Sequence, residues 1–181
     1  MYASKTEIEL EEKIKIRPLK ISDKSELAKL ANNKKIWNNL RDYIPFPYTE
    51  SDADFFINLT NEEDPRQTFG IEYNGLLCGV IGLVIQKDVY RKSAEIGYWI
   101  GESFWGNGIA TKAVELITKY GFDKLYLNRI YSGVFEYNTA SMKVLEKNGF
   151  RKDGIFKNAI LKNNRVCDEH RFYKLNIDYE N

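Results

Sequence analysis

The 181-residue sequence predicts one α/β domain of the α+β kind, in which a mostly antiparallel sheet is flanked by helices. Three observations predict it: helical patterns come first, an Asn74-Gly75 hairpin signal separates two apolar runs, and two strand-to-helix units follow. The length is enough to bury a sizeable core, and no linker or repeat divides the chain. We therefore expect a single domain over residues 1–181, with its core between about residues 14 and 177.

The first third of the chain predicts one strand followed by helices. Ile14 and Ile16 alternate with basic residues, which is typical of a short strand that ends at Pro18. Ser22 is placed to cap a helix, and the segment 49–52 has the capping-box form before another. Apolar residues at helical spacing follow in three groups: Leu27, Ala28 and Leu30; Ile36, Trp37 and Leu40; Phe55, Phe56 and Leu59.

The rest of the chain predicts a sheet interrupted by two helices. Asn-Gly between alternating or apolar runs is the strongest local hairpin signal, and Asn148-Gly149 is a typical helix end. Asn163-Asn164 marks the turn of a closing hairpin. In chain order we predict strands over 69–73, 76–85 and 94–100, a helix over 109–122, a strand over 129–135, a helix over 138–147, and two strands within 150–177.

The composition excludes several classes of function. Lys and Arg number 27 against 26 Asp and Glu, so the net charge of +1 argues against a protein that coats nucleic acid. Two Cys and one His are too few for a zinc cluster or a disulfide framework, so no metal is expected. Residues 1–15 have no apolar targeting segment and no stretch is long enough for a membrane helix, so we expect a soluble protein of a reducing compartment.

A glycine-rich loop between a predicted strand and a predicted helix is the main chemical signal. The strand ends at Gly101, and Gly106 and Gly108 precede the helix. A helix start offers unpaired N–H groups to an anion, and glycines let a phosphate approach the backbone. The alternative is that the glycines serve only the geometry of the turn. The sequence contains neither the P-loop pattern nor Gly-x-Gly-x-x-Gly, so a nucleotidase and a dinucleotide fold are disfavoured.

The loop resembles a known family. The segment 105–111, Trp-Gly-Asn-Gly-Ile-Ala-Thr, is similar to the pyrophosphate loop of the GNAT superfamily of acyl-CoA-dependent N-acetyltransferases. Trp105 stands where most members have Arg or Gln, a departure shared by the RimJ/RimL-type branch of ribosomal-protein N-terminal acetylases. A second block, Asn138-x-x-Ser141 followed by Glu-Lys-Asn-Gly-Phe over 146–150, is similar to the same branch.

The resemblance implies acetyl transfer from acetyl-CoA to a primary amine by direct attack in a ternary complex. It implies that Ser141 donates a hydrogen bond to the leaving thiolate and that Glu95 is a base, with Glu136 or water as other candidates. Asn138 and Ser141 are also helix-start residues, and both interpretations stay open. The resemblance also implies that the strand before the loop splays away from its neighbour at the acetyl-CoA site. The residues expected to hold acetyl-CoA are Tyr98, Trp99, Ile100, Trp105, Gly106, Asn107, Gly108, Ile109, Ala110, Thr111, Asn138 and Ser141.

The acceptor is less well defined. An aromatic, Pro-rich segment lies where the family varies its acceptor site, so Trp37, Phe46 and Tyr48 are candidate substrate-binding residues, although these rings could equally serve to pin the loop. The resemblance implies a cytoplasmic enzyme that acts on a small amine or a ribosomal-protein N-terminus, with no membrane or nucleic-acid partner, and is compatible with a homodimer. The alternative function is a non-catalytic acyl-CoA-binding or sensing module on the same fold.

Overall fold

A computed structural model describes residues 13–177. Most of residues 1–15, which lack an apolar targeting pattern, and both ends of the predicted domain lie outside the described part. Seven strands form one sheet: β1 (Ile14–Arg17), β2 (Thr68–Tyr73), β3 (Leu76–Ile85), β4 (Ser93–Ile100), β5 (Arg129–Phe135), β6 (Arg151–Lys162) and β7 (Arg165–Leu175). The helices are α1 (Lys24–Ala31), α2 (Lys34–Trp37), α3 (Glu50–Asn61), α4 (Ile109–Asp123) and α5 (Thr139–Lys147).

The sheet has the order β1-β2-β3-β4-β5-β7-β6 and is antiparallel except for the β4–β5 pair. That pair is joined only from Ser93 to Glu95 on β4, while both strands continue beyond it. The two strands therefore diverge and leave a V-shaped opening in the middle of the sheet. The prediction of a mostly antiparallel sheet, with strands that splay at the cofactor site, is confirmed.

Helices cover both faces of the sheet, because alternate strand residues point to opposite faces. One cluster of buried side chains joins the sheet to α4 and includes Ile81, Ile96 and Ile130. A second cluster joins the other face to α1 and α3 and includes Val80 and Leu27. The opening between β4 and β5 is thus held between two packed layers.

Two predicted hairpin turns are confirmed by their backbone. Asn74 and Gly75 have φ values of 51° and 81°, and Asn163 and Asn164 have 52° and 60°. Two consecutive residues with positive φ make the type I′ turn, which matches the twist of the strands it joins. Local turn chemistry therefore determines the β2–β3 and β6–β7 pairing.

Two details of the early helices differ from the predictions. Asp23, not Ser22, is the residue before α1, since a short 3-10 turn over Ile21–Asp23 precedes it. The Asp23 carboxylate accepts hydrogen bonds from Arg17 and from the backbone N–H of Lys20, and so ties the turn to β1. In α3, the buried face carries Ala53 and Ile57, whereas the predicted apolar residues Phe55 and Leu59 are 70% and 53% exposed.

Both cysteines and the single histidine of the sequence lie within residues 13–177. No helix in this part of the chain is long and apolar enough to cross a membrane, and no group of metal-binding side chains is placed to hold an ion. Cys78 is fully buried, and burial raises the pKa of its thiol to about 12. Cys167 is also a buried free thiol.

Candidate active site

A groove of about 610 Å³ opens where β4 and β5 diverge. It runs from the last residues of β4, along the loop before α4, to the first turn of α5. All twelve residues predicted to hold acetyl-CoA line it: Tyr98, Trp99, Ile100, Trp105, Gly106, Asn107, Gly108, Ile109, Ala110, Thr111, Asn138 and Ser141. Two blocks about 30 residues apart in sequence therefore form one surface.

The end of β4 presents its backbone to the groove on alternate residues. The Ser132 hydroxyl of β5 donates to the carbonyl of Ile96 at 3.3 Å, so this carbonyl points toward β5. Because backbone groups alternate along a strand, the carbonyls of Tyr98 and Ile100 point the same way. The Trp99 carbonyl points to β3, where a Cβ on Gly79 would clash with it. Tyr98 and Ile100 therefore turn their carbonyls toward the groove, whereas the Trp99 carbonyl faces β3.

The first turn of α4 faces the groove without a side-chain cap. Gly108 is the N-cap and has φ 72°, in the left-handed region, and within residues 13–177 no side-chain cap hydrogen-bonds to the first turn. A Cβ on Gly106 or Gly108 would meet nothing within 4 Å, so the space above both residues is open. Exposed N–H groups and the positive end of a 15-residue helix favour a phosphate there.

Trp105 and Asn107 shape the glycine loop. The Trp105 indole N–H donates to the carbonyl of Ile100 at 2.7 Å, which fastens the loop to the end of β4. The Asn107 side-chain amide donates to the carbonyls of Phe104 and Trp105 at 3.0 and 3.2 Å. The side chain of Ile109 is buried in the core, so only its backbone can serve a ligand. These side chains hold the loop through its carbonyls and leave its N–H groups facing the groove.

Across the groove, Asn138 and Ser141 begin α5. The Asn138 side-chain oxygen accepts from the Ser141 N–H at 3.2 Å, so the expected N-cap role is present. Its amide nitrogen makes no hydrogen bond to any residue between 13 and 177 and lies on the groove. The hydroxyls of Ser141 and Tyr98 are 2.9 Å apart. Burial raises the pKa of Tyr98 to about 12, so its phenol stays protonated and can donate to Ser141.

Glu95 lies beside the groove rather than in it. It projects from the face of β4 opposite to Tyr98, together with Gly97 and Trp99, since residues two apart share a face. Arg41, from the segment between α2 and α3, forms an ion pair with its carboxylate. Gly97 is exposed, and a Cβ there would meet nothing within 4 Å. An open space therefore lies between Glu95 and Trp99, directly behind the end of the groove.

The three aromatic candidates for acceptor binding do not line the groove. Trp37 and Phe46 pack on each other with ring centroids 5.6 Å apart, and the Trp37 indole donates to the carbonyl of Ile44. Tyr48 packs against the α1–α3 cluster, and burial raises the pKa of its phenol to about 12. These rings hold the loop together. Its neighbours Ile36, Asn39 and Leu40 reach the groove instead.

A buried carboxylate on β7 escaped the sequence analysis. Glu169 is 4% exposed, lies against Gly133 of β5, and forms an ion pair with Arg171 at 2.5 Å. The Arg171 guanidinium lies over the ring of Tyr131, the residue paired with Glu95 in the sheet. In the sequence these residues are ordinary alternating strand positions, and the only signal was Gly133, which leaves room for the carboxylate.

Glu136, the other candidate base, accepts the backbone N–H of Asp168 at 3.1 Å and pairs with Arg165. It does not line the groove. Its contacts join the end of β5 to the start of β7, which is a structural role. Tyr137 does line the groove, and its hydroxyl donates to the Asn38 carbonyl at 2.7 Å.

Residues 13–151 match the family described as "Acetyltransferase (GNAT) domain". YjcK of Bacillus subtilis (strain 168), named a probable N-acetyltransferase, is 33% identical over 172 residues, which is 87% of this chain and 91% of the relative. Spermidine N(1)-acetyltransferase of Escherichia coli (strain K12) is 29% identical over 147 residues, 78% of this chain and 74% of the relative.

Solved structures have the same fold. The microcin C7 self immunity acetyltransferase MccE, in complex with acetyl-CoA and AMP, aligns with a TM-score of 0.77 at 26% identity over 91% of this chain and 93% of that one. RimJ of Mycobacterium smegmatis, in complex with CoA-disulfide, aligns with a TM-score of 0.80 at 22% identity over 93% and 84%. The fold resemblance extends over nearly the whole chain.

Proposed function

The chain belongs to the GNAT acetyltransferase family and is an acetyl-CoA-dependent N-acetyltransferase, and we propose that its acceptor is the primary amine of a protein N-terminus or of a small molecule. One observation carries the assignment of the site: the β4–β5 opening lies between an uncapped α4 N-terminus and the Ser141–Tyr98 pair. The α4 N-terminus suits a pyrophosphate, and the Ser141–Tyr98 pair suits a leaving thiolate.

The residues of the groove fit acetyl-CoA, which supplies an acetyl thioester as the electrophile. The open space above Gly106 and Gly108 would receive the pyrophosphate, held by the N–H groups of residues 106–111. The amide nitrogen of Asn138 and the backbone of Tyr98 would hydrogen-bond the pantetheine arm. Lys147, which lines the same groove, is available for a further phosphate. A phosphate site made largely of backbone N–H groups explains how a chain with a net charge of +1 can bind an anionic co-substrate.

The chemistry sets two tasks for the protein. The amine must be neutral so that its nitrogen can bond the acetyl carbon, and it gives up a proton as it does so. The carbon–sulfur bond breaks, and the departing thiolate must be stabilised and take a proton. We assign acceptance of the amine proton to Glu95, acting through water, with the amine bound over Gly97, and stabilisation of the thiolate to Ser141. The thiolate then takes a proton from solvent and Glu95 releases the amine proton to solvent, so the reaction consumes no net proton.

Tyr98 is a positioning residue in this scheme. The Tyr98 hydroxyl lies 2.9 Å from the Ser141 hydroxyl and 3.3 Å from the Ser141 carbonyl, and either hydroxyl can donate to the other. In this scheme the phenol donates to the Ser141 hydroxyl, and the Ser141 proton then points into the groove. A serine hydroxyl is a weak acid, and Ser141 therefore acts as a hydrogen-bond donor to the developing thiolate. The resulting bond is charge-assisted, which makes it worth more than a neutral one.

Ser141→Ala is expected to lower kcat about 10- to 100-fold, because hydrogen bonds to charged groups contribute about 1.5–3 kcal/mol. The dissociation constant of acetyl-CoA should change little, since the bond forms only as the thiolate develops. Tyr98→Phe should give a smaller loss of kcat. Steady-state kinetics with calorimetric acetyl-CoA binding measures both effects. An unchanged kcat in Ser141→Ala would show that another group or water stabilises the thiolate.

Glu95→Gln is expected to lower kcat/KM at pH 7 by about tenfold or more, within the range usual for general-base catalysis. The loss should shrink toward pH 9, because an α-amine with a pKa of about 8 is then already neutral. The pH profile of kcat/KM measures this, with Glu136→Gln as the matched control outside the groove. An equal loss at pH 7 and pH 9 would show that Glu95 is not the base.

The acceptor itself is tested by a screen with acetyl-CoA. Panels of ribosomal-protein N-terminal peptides, polyamines and aminoglycosides cover the amines that the fold resemblance and the relatives suggest. We expect one panel to give kcat/KM far above the others. Binding of acetyl-CoA without transfer to any amine would favour the non-catalytic module, which none of the comparisons supports.

The proposal has two further parts, a cytoplasmic location and a homodimer. The two buried free thiols suit a reducing compartment. The homodimer rests on the family resemblance, and sedimentation of the purified protein tests it.

A further inference from the structure

A second cavity, of about 340 Å³, lies at the other end of β4. Ser93 lines it, and Ser93 shares its strand face with Glu95 and Gly97. Arg171 and Tyr131 also line it, and Tyr131 pairs with Glu95 where β4 and β5 are joined. The cavity therefore belongs to the face from which the acceptor amine is proposed to approach. It does not overlap the groove assigned to acetyl-CoA.

The cavity is rich in hydrogen-bond donors. Arg129 and Arg171 supply guanidinium groups, while Ser93 and Tyr131 supply hydroxyls. The carboxylate of Asp153 also lines the cavity and is paired with Arg129. Within residues 13–177, neither hydroxyl makes a hydrogen bond to a protein group. The wall opposite is the ring of Phe156, over which the Arg171 guanidinium lies at 4.7 Å. Several unpaired donors that converge on one space suit a carboxylate or phosphate.

The two arginines keep donors available for such an anion. Arg171 uses its Nε to pair with Glu169, and its two terminal nitrogens make no hydrogen bond to any described residue. Arg129 pairs with Asp153, which is 45% exposed. Exposed ion pairs contribute little stability, so an incoming anion can compete for Arg129 at small cost. Arg171 is held in place over the Tyr131 ring, which gives the site a fixed geometry.

The spacing links this cavity to the acceptor. From Ser93 to Gly97 β4 runs about 13 Å, at about 3.3 Å per residue. Building on the proposed function, which places the amine over Gly97, we propose that the cavity binds a carboxylate or phosphate of the acceptor. The acceptor is therefore an amine joined to an anionic group about 10–13 Å away, roughly the reach of three to four extended residues.

The charges on this face disfavour a polycation as acceptor. Its carboxylates are each already paired with a cation: Glu95 with Arg41, Glu169 with Arg171, Asp153 with Arg129, and Asp42 with Lys162. A polyamine would have to displace these partners, and the Arg129–Arg171 cavity would repel its distal ammonium. A peptide or small amine with one anion at the right distance meets no such conflict.

The test uses tetra-alanine peptide amides with a free N-terminus, with Asp or Asn at position 2, 3 or 4. Calorimetry in the presence of CoA measures binding independently of chemistry. We expect the Asp peptide to bind about tenfold more tightly than its Asn match at position 3 or 4, and no preference at position 2. Phosphoserine at the same position distinguishes a phosphate site from a carboxylate site, and spermidine should bind weakly.

The variants Arg171→Gln and Arg129→Gln should each remove the preference for Asp. Arg165→Gln is the matched control, because it makes the same charge change on β7 at a residue that is 71% exposed and outside both cavities. If Arg171→Gln fails to fold because Glu169 loses its partner, Arg129→Gln and Tyr131→Phe still test whether the preference for Asp peptides depends on this cavity. Equal binding of the Asp and Asn peptides, no binding of either, or a preference that survives in Arg129→Gln overturns the inference.

Turnover separates this inference from the proposed function. If the Asp peptide binds with the expected preference but no amine in any panel is acetylated, the anion site stands and the catalytic assignment fails. If peptides are acetylated with equal kcat/KM whatever their charge, the enzyme stands and the anion site fails.

Discussion

Replacing Gly108 with tryptophan is expected to abolish acetyl-CoA binding, with an increase in the dissociation constant of at least about 100-fold. Two effects combine. The residue has φ 72°, a conformation that costs an L side chain about 1–2 kcal/mol. The indole would also project into the open space of the groove, where the pyrophosphate is proposed to bind and where nothing lies within 4 Å of a Cβ. Isothermal titration with acetyl-CoA measures the change.

Gly75→Trp is the matched control for this experiment. Gly75 has φ 81° and equally open surroundings, but it lies in the β2–β3 turn outside the groove. The backbone strain should therefore be similar, while acetyl-CoA affinity should stay within about twofold, since surface changes away from a site usually cost under 0.5 kcal/mol. Unchanged affinity in folded Gly108→Trp would show that the pyrophosphate does not bind at this helix start.

Gly97→Leu is expected to lower kcat/KM for the acceptor at least about 100-fold, because even a 1 Å displacement of a reacting group can cost that much. The new side chain would fill the space between Glu95 and Trp99, where the amine is proposed to sit. The acetyl-CoA groove lies on the other side of β4, so its dissociation constant should change by less than about threefold.

Gly97→Ala provides the graded comparison. Its single methyl group fills less of the same space, so the loss of kcat/KM should be intermediate, at about tenfold. Circular dichroism and acetyl-CoA titration of each variant establish that the fold and the cofactor groove are kept. If Gly97→Leu retains full turnover, the amine approaches from elsewhere, and the role of Glu95 and the acceptor geometry inferred above would both have to be withdrawn.

The elements that sequence predicted well are those defined by local chemistry. Asn74-Gly75 and Asn163-Asn164 adopt positive φ because these residue types tolerate it, and the turns then align the strands. Thr49 and Asp52 form the capping box that starts α3. Gly149 has φ 76° just beyond α5. None of these features needs a distant partner, which is why a single sequence suffices to predict them.

The features that the sequence did not define depend on which side of an element faces the core. Helical spacing predicted α3, but its buried residues are Ala53 and Ile57, because α1 packs close to them, whereas Phe55 and Leu59 are exposed. Trp37, Phe46 and Tyr48 pack within their own loop and against the helices rather than toward the groove. The type of a side chain does not specify which residues it contacts, so tertiary packing alone decides these cases.

The sequence by itself determined the fold class, the order of strands and helices, and the two blocks that line the acetyl-CoA groove. It also predicted an anion site at the start of α4, since glycines and helix N–H groups are local properties. Tertiary structure alone decided that β4 and β5 part after three paired residues, that the hydroxyls of Tyr98 and Ser141 meet, and that Glu169 lies buried beside Arg171. These arrangements join residues far apart in the chain, and their energies exist only once the sheet has assembled.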